Sequence, residues 1–346
     1  MVKKYFIFSI SLLMLISVFA GASHAAPKTI ALMLNGADDS EGTFGALCIE
    51  GLKNAEANFG KRKIRTKVYN AEGDKEKMPV LLKEAAESSS LVIAAYAGYV
   101  PYMHEMAEKY PDCRFVVFES EGIEDTDGFT EVIFREEEGG FLAGALAALI
   151  SARDDVDRVG DKKIIGIILG EDVSAVRRFE RGFTAGAWYI APKTKVLKEV
   201  TGDFNDSEKA ASAAAKLKAE GADVIFCVDG AAQIGAINNA EEKGYWVIGV
   251  DGEMEKEYPK SVLASVVKRT GNGIYYVIKS YLENRLPSGK HYMGVDRGVV
   301  DISIWTREAK QNIPFDIRQR LNEIGDKLSE GLIKIEQTDY QGMKEK

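Results

Sequence analysis

The chain has little of what most hydrolases, redox proteins and metal proteins need. It carries three histidines and three cysteines in 346 residues. No histidines stand in an HxxxH spacing and no cysteines in a CxxC, so the common zinc and dithiol motifs are missing. A GxSxG nucleophile elbow and a Walker lysine loop are also absent, which removes the serine-hydrolase and P-loop readings. Cys48, Cys113 and Cys227 lie far apart, each within an apolar stretch, and read as small buried side chains rather than disulfide partners. Basic runs are lacking too. The formal charge is −8 at pH 7, and an acidic chain without Lys/Arg clusters excludes nucleic acid as a partner, because that binding rests on neutralising phosphates. Long Pro- or Ser-rich linkers do not occur, so domains must be joined by short crossings.

One apolar run stands out at the start, Tyr5–Phe19, after the basic residues Lys3 and Lys4 and before Gly21-Ala22-Ser23-His24-Ala25. This is the layout of a secretory signal peptide over residues 1–25. The run is short of the ~20 apolar residues that span a bilayer. No cysteine follows it, so no lipid attachment is expected and the mature chain is placed, soluble, in the periplasm. Cleavage would leave roughly 320 residues, more than one compact core holds.

Short β-branched runs alternate with amphipathic stretches along the mature chain. Strands are expected at 29–34, 64–69, 91–95, 114–118 and 131–134, then at 163–169, 195–200, 224–228 and 247–250. Helices are expected at 45–59, 76–88, 100–109, 139–152, 173–189, 207–220 and 231–243. Continuous apolar strands separated by helices mean parallel sheets covered on both faces. The tail departs from alternation: 262–268 reads as a strand or crossing, 272–284 as a helix, 299–304 as another crossing and 315–330 as a final helix. The expected architecture is α/β, with two doubly wound Rossmann-like lobes joined by a three-crossing hinge. Lobe 1 takes 27–133 plus 268–297, and lobe 2 takes 134–267 plus 298–340.

Ligands of such sheets sit beyond the carboxyl ends of the strands, and the polar and aromatic residues there are the candidate site. They are Asn35, Asp39 and Phe44 after the first strand, Tyr96 and Tyr99 after the third, and Glu119 after the fourth. In the second half they are Asp203, Phe204, Asp229, Asp251 and Lys268. Asp and Asn alone read as turn residues. A Phe in the polar loop Gly-Asp-Phe-Asn-Asp has no such explanation, and a ring at a cleft suits stacking on a planar ligand. The run Gly139–Gly144 lies inside a helical pattern and reads as close helix packing rather than a phosphate loop. Glu136–Glu138 reads as negative charge suited to a helix start.

Several blocks resemble the basic membrane protein family of ABC-importer binding proteins over essentially the whole mature chain. They are Asp38–Phe44, Phe134–Gly144, Arg178–Gly186, Gly221–Phe226, Val247–Asp251 and Leu263–Arg269. The resemblance implies a type I periplasmic-binding-protein fold and an extracytoplasmic receptor for a nucleoside or purine base. It implies Phe44 and Phe204 as the stacking rings, Asp251 as the acid on the ribose hydroxyls and Lys268 as the lysine near the ligand. Asn35 and Glu119 stand where the family often has aspartates, and Thr43 and Gly45 where it has Ser and Asn. Expected partners are the small-molecule ligand and the permease and ATPase of an importer, with the chain acting as a monomer, without cofactor or catalysis. The other readings are a sensory receptor that presents its ligand to a membrane partner, and an exported nucleoside hydrolase using Asp38, Asp39 and Asp251.

Overall fold

The computed structural model describes residues 26–35, 44–118 and 128–335, so the leader expected over 1–25 lies outside the described residues. Among the described residues, twelve strands form two six-stranded sheets. The first holds β1 (Lys28–Leu34), β2 (Ile64–Asn70), β3 (Leu91–Ala94), β4 (Arg114–Phe118) and β5 (Phe129–Phe134). The second holds β6 (Ile164–Leu169), β7 (Lys195–Val200), β8 (Ala222–Val228), β9 (Trp246–Asp251) and β10 (Val262–Lys268). Each sheet gains one edge strand from the end of the chain, β11 (Gly289–Met293) beside β5 and β12 (Val300–Ile302) beside β10.

The two sheets repeat one plan, in the orders β11-β5-β4-β3-β1-β2 and β12-β10-β9-β8-β6-β7. All described ladders are parallel except β10–β12. The sequence accounts for this. Every residue of β6 and β8 is buried, as central parallel strands covered by helices on both faces require. In each sheet the strand order reverses at the first strand of its half, which opens a crevice at the carboxyl edge.

Helices α1 (Phe44–Phe59), α2 (Lys77–Ser88), α3 (Val100–Lys109) and α8 (Thr270–Leu282) accompany the first sheet. The second takes α4 (Glu136–Ser151), α5 (Ser174–Ile190), α6 (Ser207–Glu220), α7 (Gln233–Lys243), α9 (Ala309–Asn312) and α10 (Phe315–Ser329). The ends of α6 follow local rules. The Asp206 carboxylate accepts from the Lys209 amide at 3.1 Å at its start, and Gly221 ends it at φ 106°, an N-cap and a left-handed stop.

Close packing of α4 on α5 explains the glycines that might have signalled a phosphate loop. A methyl on Gly140 or Gly144 would run into the carbonyl oxygens of Phe179 or Phe183, and one on Gly182 or Gly186 into those of Glu137 or Phe141. Each helix thus presents a small-xxx-small face to the backbone of the other. The buried apolar residues of both lobes form one contiguous cluster on this side, while the outer helix layers pack separate cores around Tyr99 and Tyr245. All three cysteines are buried and none forms a disulfide.

Three features differ from expectation. Helix α4 begins at Glu136, so the acid run is its first turn. β11 was not anticipated, because Gly-Lys-His-Tyr-Met has no apolar run and alternates exposed with half-buried positions; it is a strand by virtue of pairing with β5. β12 lies within the stretch expected to be a crossing. The chain passes between the sheets at 134–136, at 268–270 and between Met293 and Val300. These passages are laced together, with Arg135 N–H donating to Met293 O at 2.9 Å and Arg269 N–H to Val299 O at 2.7 Å.

Two glycine-to-alanine changes test the packing argument. Gly144→Ala should lower stability by about 1–3 kcal/mol or more through overpacking. Gly325→Ala, in α10 where an added methyl meets nothing, should raise it by about 0.5–1 kcal/mol. Denaturant melts of both variants check the pair, and equal effects would mean that the α4–α5 contact is not tight.

Candidate functional site

The parallel strands of each sheet end on one edge, and those edges meet at the crossings. Lys268, the last residue of β10, places its Nζ 5.0 Å over the ring of Phe134, the last residue of β5. The carboxyl ends of β5 and β10 thus lie side by side, with the crossings as the floor between them.

Buried charge organises that floor. Glu136 is 0 % exposed. Its Oε1 lies 2.8 Å from Lys268 Nζ and its Oε2 accepts from Arg178 Nε at 2.7 Å. Burial pushes the Glu136 carboxyl upward, but Lys268 and Arg178 outweigh it and hold the group below its ordinary value. Glu138 is buried one turn face away. It accepts from Arg135 Nη1 at 3.1 Å and from the Val295 amide at 2.8 Å, and burial raises its pKa. The first turn of α4 thus grips all three crossings: its own, the one after β10 and the one after β11. Sequence reading had assigned these acids only to the helix dipole. Their burial is invisible locally because the partners come from over 40 residues away in α5 and over 130 in β10.

Asp251 ends β9 in a strained conformation. Its φ is 68°, and Gly252 N–H returns to Val250 O at 2.9 Å, a three-residue γ-turn whose positive-φ form is rare. Its side chain stays open to solvent although protein crowds it. That desolvation raises its pKa, Lys268 opposes the rise and Glu136 adds to it. Asp251, Lys268 and Glu136 are one electrostatic group, in which the lysine serves both acids.

Asp229 ends β8 and is different. It is 0 % exposed, and neither carboxylate oxygen meets a donor from another residue. Burial lifts its pKa to about 7, and burial, with the Asp229 charge adding to it, pushes the neighbouring Cys227 thiol up. Phe204 lies nearby, over Gly170 and Gly230. A methyl on Gly170 would fall 2.5 Å from ring atoms of Phe204 and 3.3 Å from Asp229 Cα, and Ala232 N–H donates to Phe204 O at 2.9 Å. The ring was expected to face the cleft alone; it is half-buried and shared with the core. Gly170 and Gly230, which give it room, carried that information without being legible.

The other expected residues divide. Asn35 stands at the end of β1, where its Oδ1 accepts from the Gly73 amide at 3.0 Å. Tyr96 is 40 % exposed and edge-on to Tyr99 at 6.5 Å. Tyr99 is structural: it is fully buried, its hydroxyl donates to Leu34 O at 2.9 Å, and burial pushes its phenol to about 12. Asp203 is a turn residue, its Oδ1 accepting from the Asn205 amide at 2.9 Å. Asp39 and Glu119 lie outside the described residues, and Phe44 is described only by its backbone, as the first residue of α1.

Residues 28–339 match the family described as Bmp, ABC transporter substrate-binding protein PnrA-like. The chain belongs to this family. It is 33 % identical over 200 residues to basic membrane protein A of Borreliella afzelii, a stretch covering 56 % of this chain and 57 % of that protein, so the match spans a little over half of that relative's length. Basic membrane protein D of Borreliella burgdorferi is 24 % identical over 339 residues, 97 % of this chain and 95 % of its own. Among solved structures, a solute-binding protein of an ABC transporter system from Aeropyrum pernix superposes with a TM-score of 0.72 at 20 % identity, covering 91 % of this chain and 95 % of that one. The fold is that of the type I periplasmic binding proteins. Among the described residues, no helix is long and apolar enough to cross a membrane.

The Bmp frame leaves Asp229 as the titrating group to test. Its folded pKa, about 7, lies above the ordinary ~3.9 of an Asp. Between pH 4 and 7 the native state keeps a proton that the unfolded chain has released, so stability falls as pH rises through that window and the loss is complete above about 7. The cost is on the order of 4 kcal/mol. Denaturant melts should show the stability of Asp229→Asn gaining on that of the parent by a few kcal/mol between pH 4 and pH 8. An identical pH dependence in both proteins would place the carboxyl in contact with solvent.

Proposed function

We propose that this chain captures a nucleoside or purine base between its lobes, outside the cytoplasmic membrane, and delivers it to the permease and ATPase of an ABC importer, acting as a monomer and without turnover. The observation that carries this reading is the row of side chains along one carboxyl edge. Phe204, Asp229, Asp251 and Lys268 stand at the ends of β7 to β10, an aromatic face and three ionisable groups within a few strands of each other. An aromatic ring contributes ~1–3 kcal/mol by stacking on a base and tolerates different bases. An ionised Asp251 accepts two hydrogen bonds from a cis-diol, each charge-assisted and worth ~1.5–3 kcal/mol. Lys268 favours that ionised form. Asn35, Tyr96 and, outside the described residues, Asp39 and Glu119 would complete the site from the first lobe, with Phe44 as the second ring.

Membership of the Bmp family supports the transport half of the proposal, and the residue chemistry supports the ligand half. The test is a binding panel of nucleosides, bases, sugars and amino acids on protein unfolded and refolded to strip carried-over ligand. A ligand at ~100 times its Kd adds ~2.7 kcal/mol to stability. Stabilisation by nucleosides is expected. Stabilisation by sugars or amino acids alone would leave the receptor role and discard the ligand class, and release of free base from a nucleoside would overturn the receptor role itself.

Two substitutions sharpen the assignment. Phe204→Ala should weaken nucleoside binding by ~1–3 kcal/mol, and because the ring also packs on the core it should lower the melting temperature. Asp251→Asn should impair a ribosyl ligand far more than the corresponding free base when both are titrated calorimetrically. Equal losses would remove Asp251 from the sugar.

A further inference from the structure

From the burial of Asp229 and the position of Phe204 over the neighbouring Gly170 and Gly230, we infer that Asp229 selects the base of the ligand, favouring a guanine edge over adenine or hypoxanthine. The inference rests on the nucleoside reading above. A carboxylate is an acceptor only, and this one is fully buried with no donor from another residue, so a ligand that reaches it must bring N–H groups. Lys268, the cation of the site, is held at Glu136.

Phe204 sets which part of the ligand arrives there. The ring lies across Gly170 and beside Gly230, the residue after Asp229, and the loop that carries it includes Gly202 at φ 72°. Turned off Gly170 to stack on a base, the ring brings the edge of that base to Asp229. The sugar is then left to Asp251, on the next strand. Only guanine among the common bases offers two adjacent donors, the ring N1–H and the exocyclic amino group, to the two oxygens of one carboxylate. Adenine and cytosine set an acceptor beside their amino group. Hypoxanthine offers the ring N–H alone, with a carbonyl on one side and a C–H on the other, and uracil flanks its N–H with two carbonyls, which repel a carboxylate. Two N–H donors also favour the ionised form, offsetting the burial that raises the Asp229 pKa.

The test is calorimetric titration of guanosine, inosine and adenosine into the refolded full-length mature protein and its Asp229→Asn variant. Inosine differs from guanosine by the amino group alone. The parent protein should bind guanosine about 10-fold or more tighter than inosine or adenosine, the discrimination expected of a bidentate pair. Asp229→Asn, whose amide offers one donor and one acceptor, should lose that preference while holding inosine and adenosine within about 3-fold. Equal affinities of the parent for guanosine and inosine would overturn the inference without needing any variant. An equal loss of all three ligands in Asp229→Asn would also overturn it, by making the residue structural. Failure of the parent to bind any nucleoside would instead overturn the proposed function.

Discussion

A carboxylate with no solvent exposure at the junction of two lobes is the constraint on which this structure depends. Removing one ion from water costs several kcal/mol even after protein relaxation, and breaking a buried pair by deleting one partner costs about 3–5 kcal/mol. Glu136 is therefore tolerable only while Lys268 and Arg178 both reach it. The end of β10, the start of α4 and the exposed-to-buried turn of α5 must arrive together. Glu138 adds the third crossing through the Val295 amide. Gly294 is part of the same fit, since a methyl there would strike the Glu138 carboxylate. Two acids in one helical turn hold the three passages in register, and the carboxyl edges of the sheets are aligned as a result.

The same charges set the chemistry of the crevice. Lys268 is shared between Glu136, which it neutralises, and Asp251, whose pKa it pulls against burial. One acid of the edge is thus kept near a cation and open to solvent. Its neighbour Asp229, one strand away, is fully buried and meets no donor from another of the described residues. Two carboxylates on adjacent strands thus differ in protonation behaviour and in geometry, one exposed in a strained turn and one fully buried. A pocket that recognises two unlike parts of one molecule gains from that contrast, and a polar edge of uniform character would not supply it.

Rigidity beneath the crevice comes from glycine. The absence of side chains at Gly140, Gly144, Gly182 and Gly186 brings the α4 and α5 backbones together, so the helix bearing Glu136 and the helix bearing Arg178 behave as one support. The ion pairs would otherwise join two elements free to separate. Close packing and buried charge reinforce each other, because a displaced helix would both open voids and strand a charge.

Much of this was legible in the sequence. Apolar runs of strand length between amphipathic stretches determined the two parallel sheets, Asp206 and Gly221 marked the ends of α6, and Gly139–Gly144 within a helical period marked a packing face. These signals are local, since propensity, capping and periodicity act over a few residues. The rule that ligands sit beyond the carboxyl ends of parallel strands brought the candidate residues together as one set, and the family resemblance gave them expected roles. Tertiary structure alone decided the rest. β11 has no apolar pattern and exists through its pairing with β5. Tyr99 follows a strand like Tyr96 yet is taken into the core by the Leu34 carbonyl. Phe204 is half-buried against the core because two glycines far apart in the chain make room for its ring. Glu136–Glu138 read as a helix start, and which of those acids is buried, and against which cation, depends on contacts across more than a hundred residues. Burial and charge pairing are properties of that long-range assembly, and no local pattern encodes them.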